Sequence, residues 1–310
     1  MNKLSKKLLL GTASALVLGA VFVSCSKSGT TVTPPAPIGG YNNSNEVAAA
    51  SLKSHWTFDG SVNEGISNTA PVANVNSSFV TGVKGQALQL THGYILYPAT
   101  IAALNTASIG SVTVSAWVKT DNNGSQASNV FSLSQGTATQ TDWNTGAITM
   151  YLETGHPTTT DDTLVFHSAF STYTGPGGTR LGGDNINDYG VRETDFKTVK
   201  ATNQWVHYVM RYDATGSNID IYANGIRVSN NNFRYRTTGA PPVGIGPIVT
   251  TVPTQAIIGA FANAASGFTG SATQVWQGTF NGGIDELRVY NSALSDADIS
   301  ALYQLEKAGR

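Results

Sequence analysis

The chain has 310 residues, 18 basic and 19 acidic, which gives a formal net charge of −1 at pH 7. With no basic excess, the composition argues against nucleic acid as a partner. Cys25 is the only cysteine, so an internal disulfide framework is excluded, and a cysteine-ligated metal site is not expected.

The N-terminus has the pattern of a bacterial export signal. Lysines precede an apolar stretch, residues 8–23, which is shorter than the roughly 20 residues of a membrane-spanning helix. The stretch ends in Phe22-Val23-Ser24-Cys25, which resembles a lipobox, although Phe22 stands where leucine is usual. We predict a lipoprotein signal peptide at residues 1–24 and lipidation of Cys25. The alternative is an ordinary secretory signal with an incidental cysteine.

A lipid anchor predicts that the protein is located at the cell envelope, with the outer membrane favoured. Acyl chains contribute about 0.8 kcal/mol per buried CH₂, so several chains hold a protein firmly. The membrane would then be contacted only through the anchor. Lys27 follows the cysteine in place of an acidic cluster, so the periplasmic and surface faces both stay open.

Residues 25–50 have the composition of a tether. They are rich in Ser, Thr, Pro, Gly and Asn, as in Thr33-Pro34-Pro35-Ala36-Pro37. Such a composition buries too little apolar surface to fold, so we predict a disordered spacer. The folded domain is then residues 51–310, a length normal for one all-β sandwich.

The rest of the chain alternates short apolar runs with turn-forming clusters, which predicts an antiparallel all-β fold. The predicted strands are residues 52–58, 86–90, 112–118, 129–133, 147–153, 164–167, 205–212, 219–222, 256–260 and 283–290. A helix is predicted only at residues 295–307, with Ser295 as its N-cap. Residues 154–162, 172–204, 230–254 and 262–277 are predicted to be long loops.

Two segments carry a family resemblance. They are Gly282 to Ser295, with the run Ile284-Asp285-Glu286-Leu287-Arg288, and Trp205-Val206-His207-Tyr208 followed by Ile221-Tyr222-Ala223-Asn224-Gly225. Together they resemble the laminin-G-like branch of the concanavalin A-like lectin/glucanase superfamily. The resemblance covers about residues 51–307. It implies a two-sheet antiparallel jelly-roll β-sandwich with one short C-terminal helix.

The sequence gives little support to the hypothesis that the protein is an enzyme. A retaining glycosidase needs two carboxyl groups about 5 Å apart, and a strand supplies them at alternate positions. The Glu-x-Asp-x-(x)-Glu pattern of the glucanase relatives does not occur, and Asp285 and Glu286 are consecutive. A hydrolase site assembled from distant strands remains open. No serine-nucleophile turn occurs either, and His207 is predicted to be structural.

Calcium is the one metal that the sequence suggests. Alternation places Asp285 on the inward face with Leu287 and Val289, where a buried carboxylate needs a partner. Many laminin-G-like domains hold Ca²⁺ near the sheet edge, and Asp59 matches the family's N-terminal motif. We predict a structural Ca²⁺ at Asp59 and Asp285. The alternative is that both acids cap turns or accept backbone N–H bonds.

A sugar site needs exposed aromatic faces beside amide and carboxylate groups. Trp143 and Trp276 lie in polar loop contexts, and Tyr189 is surrounded by polar residues. The candidate ligand-binding set is therefore Trp143, Asp184, Asn187, Tyr189, Arg192 and Trp276. Alternatively, these aromatic residues pin long loops to the sandwich.

These observations predict a non-catalytic protein that binds carbohydrate, with a polysaccharide or glycoconjugate as its partner. The alternative from another class is a protein-adhesion or assembly module, since laminin-G-like sandwiches also bind proteins. A glycoside hydrolase is the third reading. Fold alone does not establish function, so the choice depends on the loops.

Overall fold

The structure is a computed structural model that describes residues 34–98, 101–174, 178–188, 195 and 197–310. Residues 36–310 form one compact unit. The predicted signal peptide and Cys25 lie outside the described residues. Among the described residues, no helix is both long enough and apolar enough to cross a membrane.

The regular secondary structure of the unit consists almost entirely of strands. They are β1 (Leu52–Trp56), β2 (Ala73–Thr81), β3 (Gln86–Leu96), β4 (Ser108–Gly110), β5 (Val112–Thr120), β6 (Ala127–Ser134), β7 (Ile148–Leu152), β8 (Thr163–Leu164), β9 (Phe166–Tyr173), β10 (Arg180–Ile186), β11 (Val199–Lys200), β12 (Val206–Asp213), β13 (Asn218–Ala223), β14 (Ile226–Arg227), β15 (Thr237–Thr238), β16 (Val243–Gly244), β17 (Ile248–Val249), β18 (Gln255–Ile258), β19 (Gln277–Gly278) and β20 (Phe280–Tyr290). One α-helix, α1 (Asp296–Lys307), follows β20.

One curled sheet forms both layers of the sandwich. Its strands run in the order β10-β9-β7-β6-β18-β3-β20-β5-β12-β13-β14, with β1, β2 and β19 paired alongside. The pairings along this path are antiparallel, which confirms the predicted all-β sandwich. Because alternate side chains point to opposite faces, each strand gives half of its residues to the space between the layers.

The main core fills that space. The β5–β12–β13 half supplies buried residues such as Val114, Tyr208 and Ile221, and the β6–β7–β9 half supplies Phe131 and Met150. The type I′ hairpin chemistry of Asn224-Gly225 joins β13 to β14, with φ angles of 51° and 78°.

Helix α1 covers the outer face of the β5–β12–β13 half. Ser295 is its N-cap, and the Ser295 side chain accepts a hydrogen bond from the Asp298 backbone N–H, as predicted. Ile299, Leu302 and Leu305 are buried against the sheet. The position of the helix fixes which part of this outer face stays open.

The start of the compact unit and the content of one predicted loop differ from the sequence predictions. Residues 36–50 belong to the compact unit: Val47 is buried, and the Ser44 N–H donates to the Arg310 carbonyl, so a tether ending at residue 50 is wrong for this part. The predicted loop at residues 172–204 contains β10, which pairs with β9. β10 contains two glycines and several polar residues, so its sequence does not show the apolar alternation of a strand. Backbone pairing with β9 stabilises it instead.

Candidate functional site

The two loop tryptophans predicted to bind ligand meet in space. Trp143 comes from the β6–β7 connection and Trp276 from the connection before β19. Their ring centroids lie 5.1 Å apart with an interplanar angle of 83°, an edge-to-face pair. Both rings are partly exposed. Edge-to-face packing fixes ring orientation and contributes about 0.5–1.5 kcal/mol beyond area burial.

Buried aromatic rings form the floor beneath the tryptophans. Tyr151 on β7 is 3% exposed, and Phe261 is 1% exposed. The Trp143 ring packs edge to face on both, with centroids 5.6 Å away in each case. Trp276 also packs on Phe261 at 5.1 Å. The tryptophans are therefore anchored from below and leave part of each ring facing outward.

Hydrogen bonds hold the two loops in place. The Trp276 Nε1–H donates to Gln274 Oε1 over 2.6 Å. Asp142 Oδ1 accepts from the Trp143 backbone N–H at 2.7 Å and from Gln274 Nε2 at 3.4 Å, so it joins the loops. Gln126 Nε2 donates to the carbonyls of Val275 and Gln277, both at 3.1 Å. The site is therefore largely pre-formed.

These rings form one wall of a pocket of about 290 Å³, which we call the aromatic pocket. It is lined by Ser125, Ala127, Trp143, Tyr151, Glu153, Gly155, His156 and Trp276. Its volume is at the small end of the range for small-molecule sites, about 300–1,000 Å³. A hydroxyl, a carboxylate and an imidazole thus converge on the aromatic faces.

A chain of ion pairs lies beside the pocket and consists of Glu153, His167, Asp184 and Arg236; we call it the relay. The His167 ring stacks on Tyr151, with centroids 4.5 Å apart. His167 Nδ1 is 2.8 Å from Glu153 Oε1, and its Nε2 is 3.0 Å from Asp184 Oδ2. Arg236 donates to the other Asp184 oxygen over 2.7 Å. Two carboxylates and two basic groups therefore alternate along one chain of contacts.

The relay changes two pKa values. Burial alone would lower the pKa of His167, but the hydrogen bonds to Asp184 and Glu153 outweigh burial and raise it above its usual value. The same bond to His167 lowers the pKa of Asp184. Both shifts favour a charged imidazolium beside an ionised Asp184 carboxylate.

The relay does not have the geometry of a retaining glycosidase. Such enzymes use two carboxyl groups that face each other about 5 Å apart across the scissile bond. Here each carboxylate binds a different nitrogen of the His167 ring, so the imidazole lies between Glu153 and Asp184.

The other predicted ligand residues have mixed outcomes. Asp184 joins the relay. Asn187 is buried, and its amide bonds the Phe166 backbone N–H and the Lys197 carbonyl, both at 2.7 Å, so the structure gives it a structural role. Tyr189 and Arg192 lie outside the described residues.

Six residues of the pocket were not predicted: Ser125, Ala127, Tyr151, Glu153, Gly155 and His156. The alternation of β7 places Tyr151 on the face opposite the buried Met150, and that was the available signal. Glu153 has no acidic residue at an alternate position of its strand, so the sequence did not single it out. Its partner, His167, is on another strand, which sequence spacing does not reveal.

The two predicted calcium ligands both bind the β2–β3 turn. Asp285 Oδ2 accepts from the N–H groups of Val83 and Lys84, at 2.8 and 3.1 Å, and Oδ1 accepts from Glu286 at 2.8 Å. Asp59 Oδ1 accepts from the Gln86 N–H at 2.7 Å. Burial raises the pKa of Asp285 to about 7.

This arrangement does not fit a cation site. N–H donors point at the carboxylate oxygens, which favours the turn-capping alternative. In the described part of the chain, no three His, Cys, Asp or Glu side chains cluster suitably for a metal ion. Calcium binding at Asp59 and Asp285 stays a prediction.

Asp285 also differs from its predicted face. A bulge lies between Asp285 and Arg288, and Glu286 has a φ of 47°. Because the bulge inserts a residue, Ile284, Leu287 and Val289 face the core, whereas Asp285 pairs with Trp117 on the outer face. The inward placement of Asp285 was therefore wrong, and the core placement of Leu287 and Val289 is confirmed.

The curled antiparallel sandwich with its C-terminal helix has concanavalin A-like architecture. The chain belongs to the Laminin_G_3 family of the concanavalin A-like lectin/glucanases superfamily, whose profile matches residues 91–300. This confirms the resemblance found in the sequence.

Solved structures are similar to the chain at low identity. One is domain 4 of a GH43 extracellular arabinanase from Geobacillus stearothermophilus, in complex with arabinotriose, with 19% identity, 82% of this chain and 98% of that one covered, and a TM-score of 0.47. Another is the receptor binding domain of botulinum neurotoxin mosaic serotype C/D, with 12% identity, 82% and 50% coverage, and a TM-score of 0.50. The chain thus spans half the length of that toxin domain. These similarities concern the fold alone. No curated protein matches the chain.

Proposed function

We propose that this protein is a non-catalytic glycan-binding protein and that the aromatic pocket is its binding site. The observation that carries the proposal is the meeting of Trp143 and Trp276, from two separate loops, in a pre-formed pocket. Sugar rings have apolar C–H faces and polar rims. A site for them combines aromatic faces with a few fixed polar groups.

The polar groups of the pocket suit sugar hydroxyls. Ser125 offers a hydroxyl, and Glu153 offers carboxylate oxygens that accept hydrogen bonds. The Glu153 side chain is already ordered by its contact with His167, so a bound sugar does not have to order it. Such preorganisation favours affinity because less conformational entropy is lost on binding.

The charge of the site favours a neutral glycan. Glu153 and Asp184 are paired with His167 and Arg236, and the Asp142 carboxylate holds the Trp143 loop. A site without an excess of positive charge gives little attraction to acidic sugars. We therefore infer that the ligand is a neutral polysaccharide or glycoconjugate.

The proposed location is the cell envelope, with the chain anchored through a lipid on Cys25. The support is the lipobox-like end of the apolar N-terminal segment. In this position the sandwich would hold glycans at the membrane that carries the anchor, with the outer membrane favoured.

One observation favours a protein partner as the second candidate. Val275, which precedes Trp276 in the chain, is 93% exposed. An exposed apolar side chain beside aromatic residues is also found at protein-binding surfaces, where aromatic residues are enriched. A protein-adhesion module is therefore the alternative that the binding screen must separate.

The test is a glycan array followed by isothermal titration with a soluble form that begins at residue 26 and keeps every described residue. We expect saturable binding of one or more neutral polysaccharides, and loss of that binding in Trp143→Ala. Silence across the array, with and without calcium, would overturn the proposal and favour a protein partner. Release of reducing sugar that Glu153→Gln abolishes would instead establish a hydrolase.

A further inference from the structure

A second depression lies on the outer face of the part of the sheet that contains β3, β20, β5 and β12. Its volume is about 440 Å³, and we call it the Trp205 groove. It is lined by Val80, Thr81, Gln89, Lys119, Thr120, Asp121, Asn203, Trp205, Asn281, Gly282 and Gly283. None of these residues lines the aromatic pocket.

The strand register forms the floor of the groove. Gln89 on β3 pairs with Gly283 on β20, and Gly283 pairs with Lys119 on β5. Trp205 directly precedes Val206, the partner of Val118, so it falls opposite Lys119. Directly opposed residues share a face. A row of four positions therefore crosses the strands on one face.

This row faces away from the core. The strand neighbours of these positions, Leu88, Leu90, Val118, Val206 and Ile284, all belong to the main core. Because side chains alternate along a strand, Gln89, Gly283, Lys119 and Trp205 point outward.

Glycine at position 283 makes the aromatic platform possible. A Cβ atom there would lie 2.5 Å from Cη2 and 3.0 Å from Cζ2 of Trp205. The indole ring therefore packs directly on the backbone of β20. Trp205 is partly exposed, so the ring offers a supported surface to the groove rather than a mobile side chain.

The groove is also rich in unused polar groups. Asn203 and Asn281 are exposed, and within the described residues their side-chain amides make no hydrogen bond to the protein. Each amide offers donors and an acceptor, as a vicinal diol requires. Lys119 and Asp121 are exposed and of opposite charge, so they give the groove no net charge.

We propose that the Trp205 groove is a second glycan subsite, for a neutral sugar unit, separate from the aromatic pocket. It goes beyond the function proposed above, because a single pocket would satisfy that function. Two subsites on one chain raise the avidity for a polysaccharide long enough to engage both, without a new contact at either.

The chain's five tryptophans allow the two sites to be observed separately. The soluble form beginning at residue 26 would be labelled with 5-fluorotryptophan, and its ¹⁹F resonances assigned from Trp143→Phe, Trp205→Phe and Trp276→Phe. It would then be titrated with neutral hexasaccharides of the cello, xylo, laminari and arabino series.

We expect a saturable shift of the Trp205 resonance with at least one of these sugars. Asn281→Ala should raise the Kd measured at Trp205 about fivefold, because one hydrogen-bonding group is lost, and leave the Trp143 and Trp276 titrations unchanged. Tyr235→Ala, at a 57% exposed aromatic outside both sites, is the matched control.

The outcomes separate the two proposals. A response at Trp205 without one at Trp143 and Trp276 supports the subsite and contradicts the aromatic pocket as the glycan site. A response only at Trp143 and Trp276 overturns the subsite. A Trp205 shift that Asn281→Ala does not weaken, or no saturable shift with any of the four series, also overturns it.

Discussion

Arg288 Nε donates to Glu306 Oε1 over 2.8 Å, and both side chains are fully buried between the sheet and α1. Arg288 also donates to Glu286 Oε2 over 2.5 Å, and that carboxylate oxygen lies 2.9 Å from His55 Nε2. Trp117 Nε1–H donates to Glu306 at 2.8 Å. This buried network fastens the C-terminal helix to the outer face of the sheet.

Arg288→Met should therefore destabilise the chain strongly. It leaves Glu286 and Glu306 buried without their guanidinium, and removal of one partner of a buried ion pair costs about 3–5 kcal/mol. Urea unfolding followed by fluorescence measures the change in the free energy of unfolding.

The matched control is Lys200→Ala, which removes an exposed ion pair with Asp162. Exposed pairs contribute about 0–1 kcal/mol, so this variant should unfold almost as the parent does. Equal costs for the two variants would show that the buried network does not hold the helix.

Asp285→Ala should cost more stability than Asp59→Ala. The first leaves three backbone N–H groups without their acceptor, two in the β2–β3 turn and that of Glu286 on β20, and the second leaves one. An unsatisfied buried donor costs about 1–3 kcal/mol, whereas an exposed one rebinds water. Thermal unfolding of both variants gives the comparison, and a larger loss for Asp59→Ala would contradict turn capping.

The same measurement decides between turn capping and calcium. If the two acids only cap the turn, the Tm in about 1 mM CaCl₂ should match the Tm in EDTA. A calcium-dependent rise in Tm that Asp285→Asn abolishes would instead establish a cation site.

The relay predicts a pH-dependent stability. The folded-state pKa of His167 lies above its unfolded value of about 6.5, so protonation stabilises the native chain. This contribution is complete below about pH 6.5 and is lost as the pH rises through the folded pKa. The stability difference between the parent and His167→Gln should therefore shrink above pH 6.5. A difference that stays constant or grows with pH would contradict the charged relay.

The aromatic pocket could be partly predicted because its signal is local. Trp143 and Trp276 stand in polar loop sequences, where an aromatic residue has no strand face to explain it. Their contact could not be predicted, since it depends on how the sheet curls. Glu153 and His167 meet through the pairing of β7 with β9, which residue spacing does not encode.

In the β20 segment, the local pattern predicted some side-chain orientations correctly and one wrongly. Regular alternation correctly placed Leu287 and Val289 in the core, and Ser295 capped the helix as its position indicated. The bulge at Glu286 moved Asp285 to the outer face, whereas Arg288 keeps the outward position that alternation with Leu287 and Val289 gives it. A single inserted residue reverses a face, and no local propensity signals it at a non-glycine position.

The paired tryptophans are the proposed glycan-binding residues. The most direct measurement is the Kd, by isothermal titration, of the neutral polysaccharide that binds best to the soluble chain, for Trp143→Ala, Trp276→Ala and the control Tyr235→Ala. Each tryptophan variant should weaken binding about tenfold or more, because truncation of an aromatic hot-spot residue costs about 2 kcal/mol or more, while Tyr235→Ala should bind as the parent does. Unchanged affinity in both tryptophan variants, with the fold intact, would contradict the account.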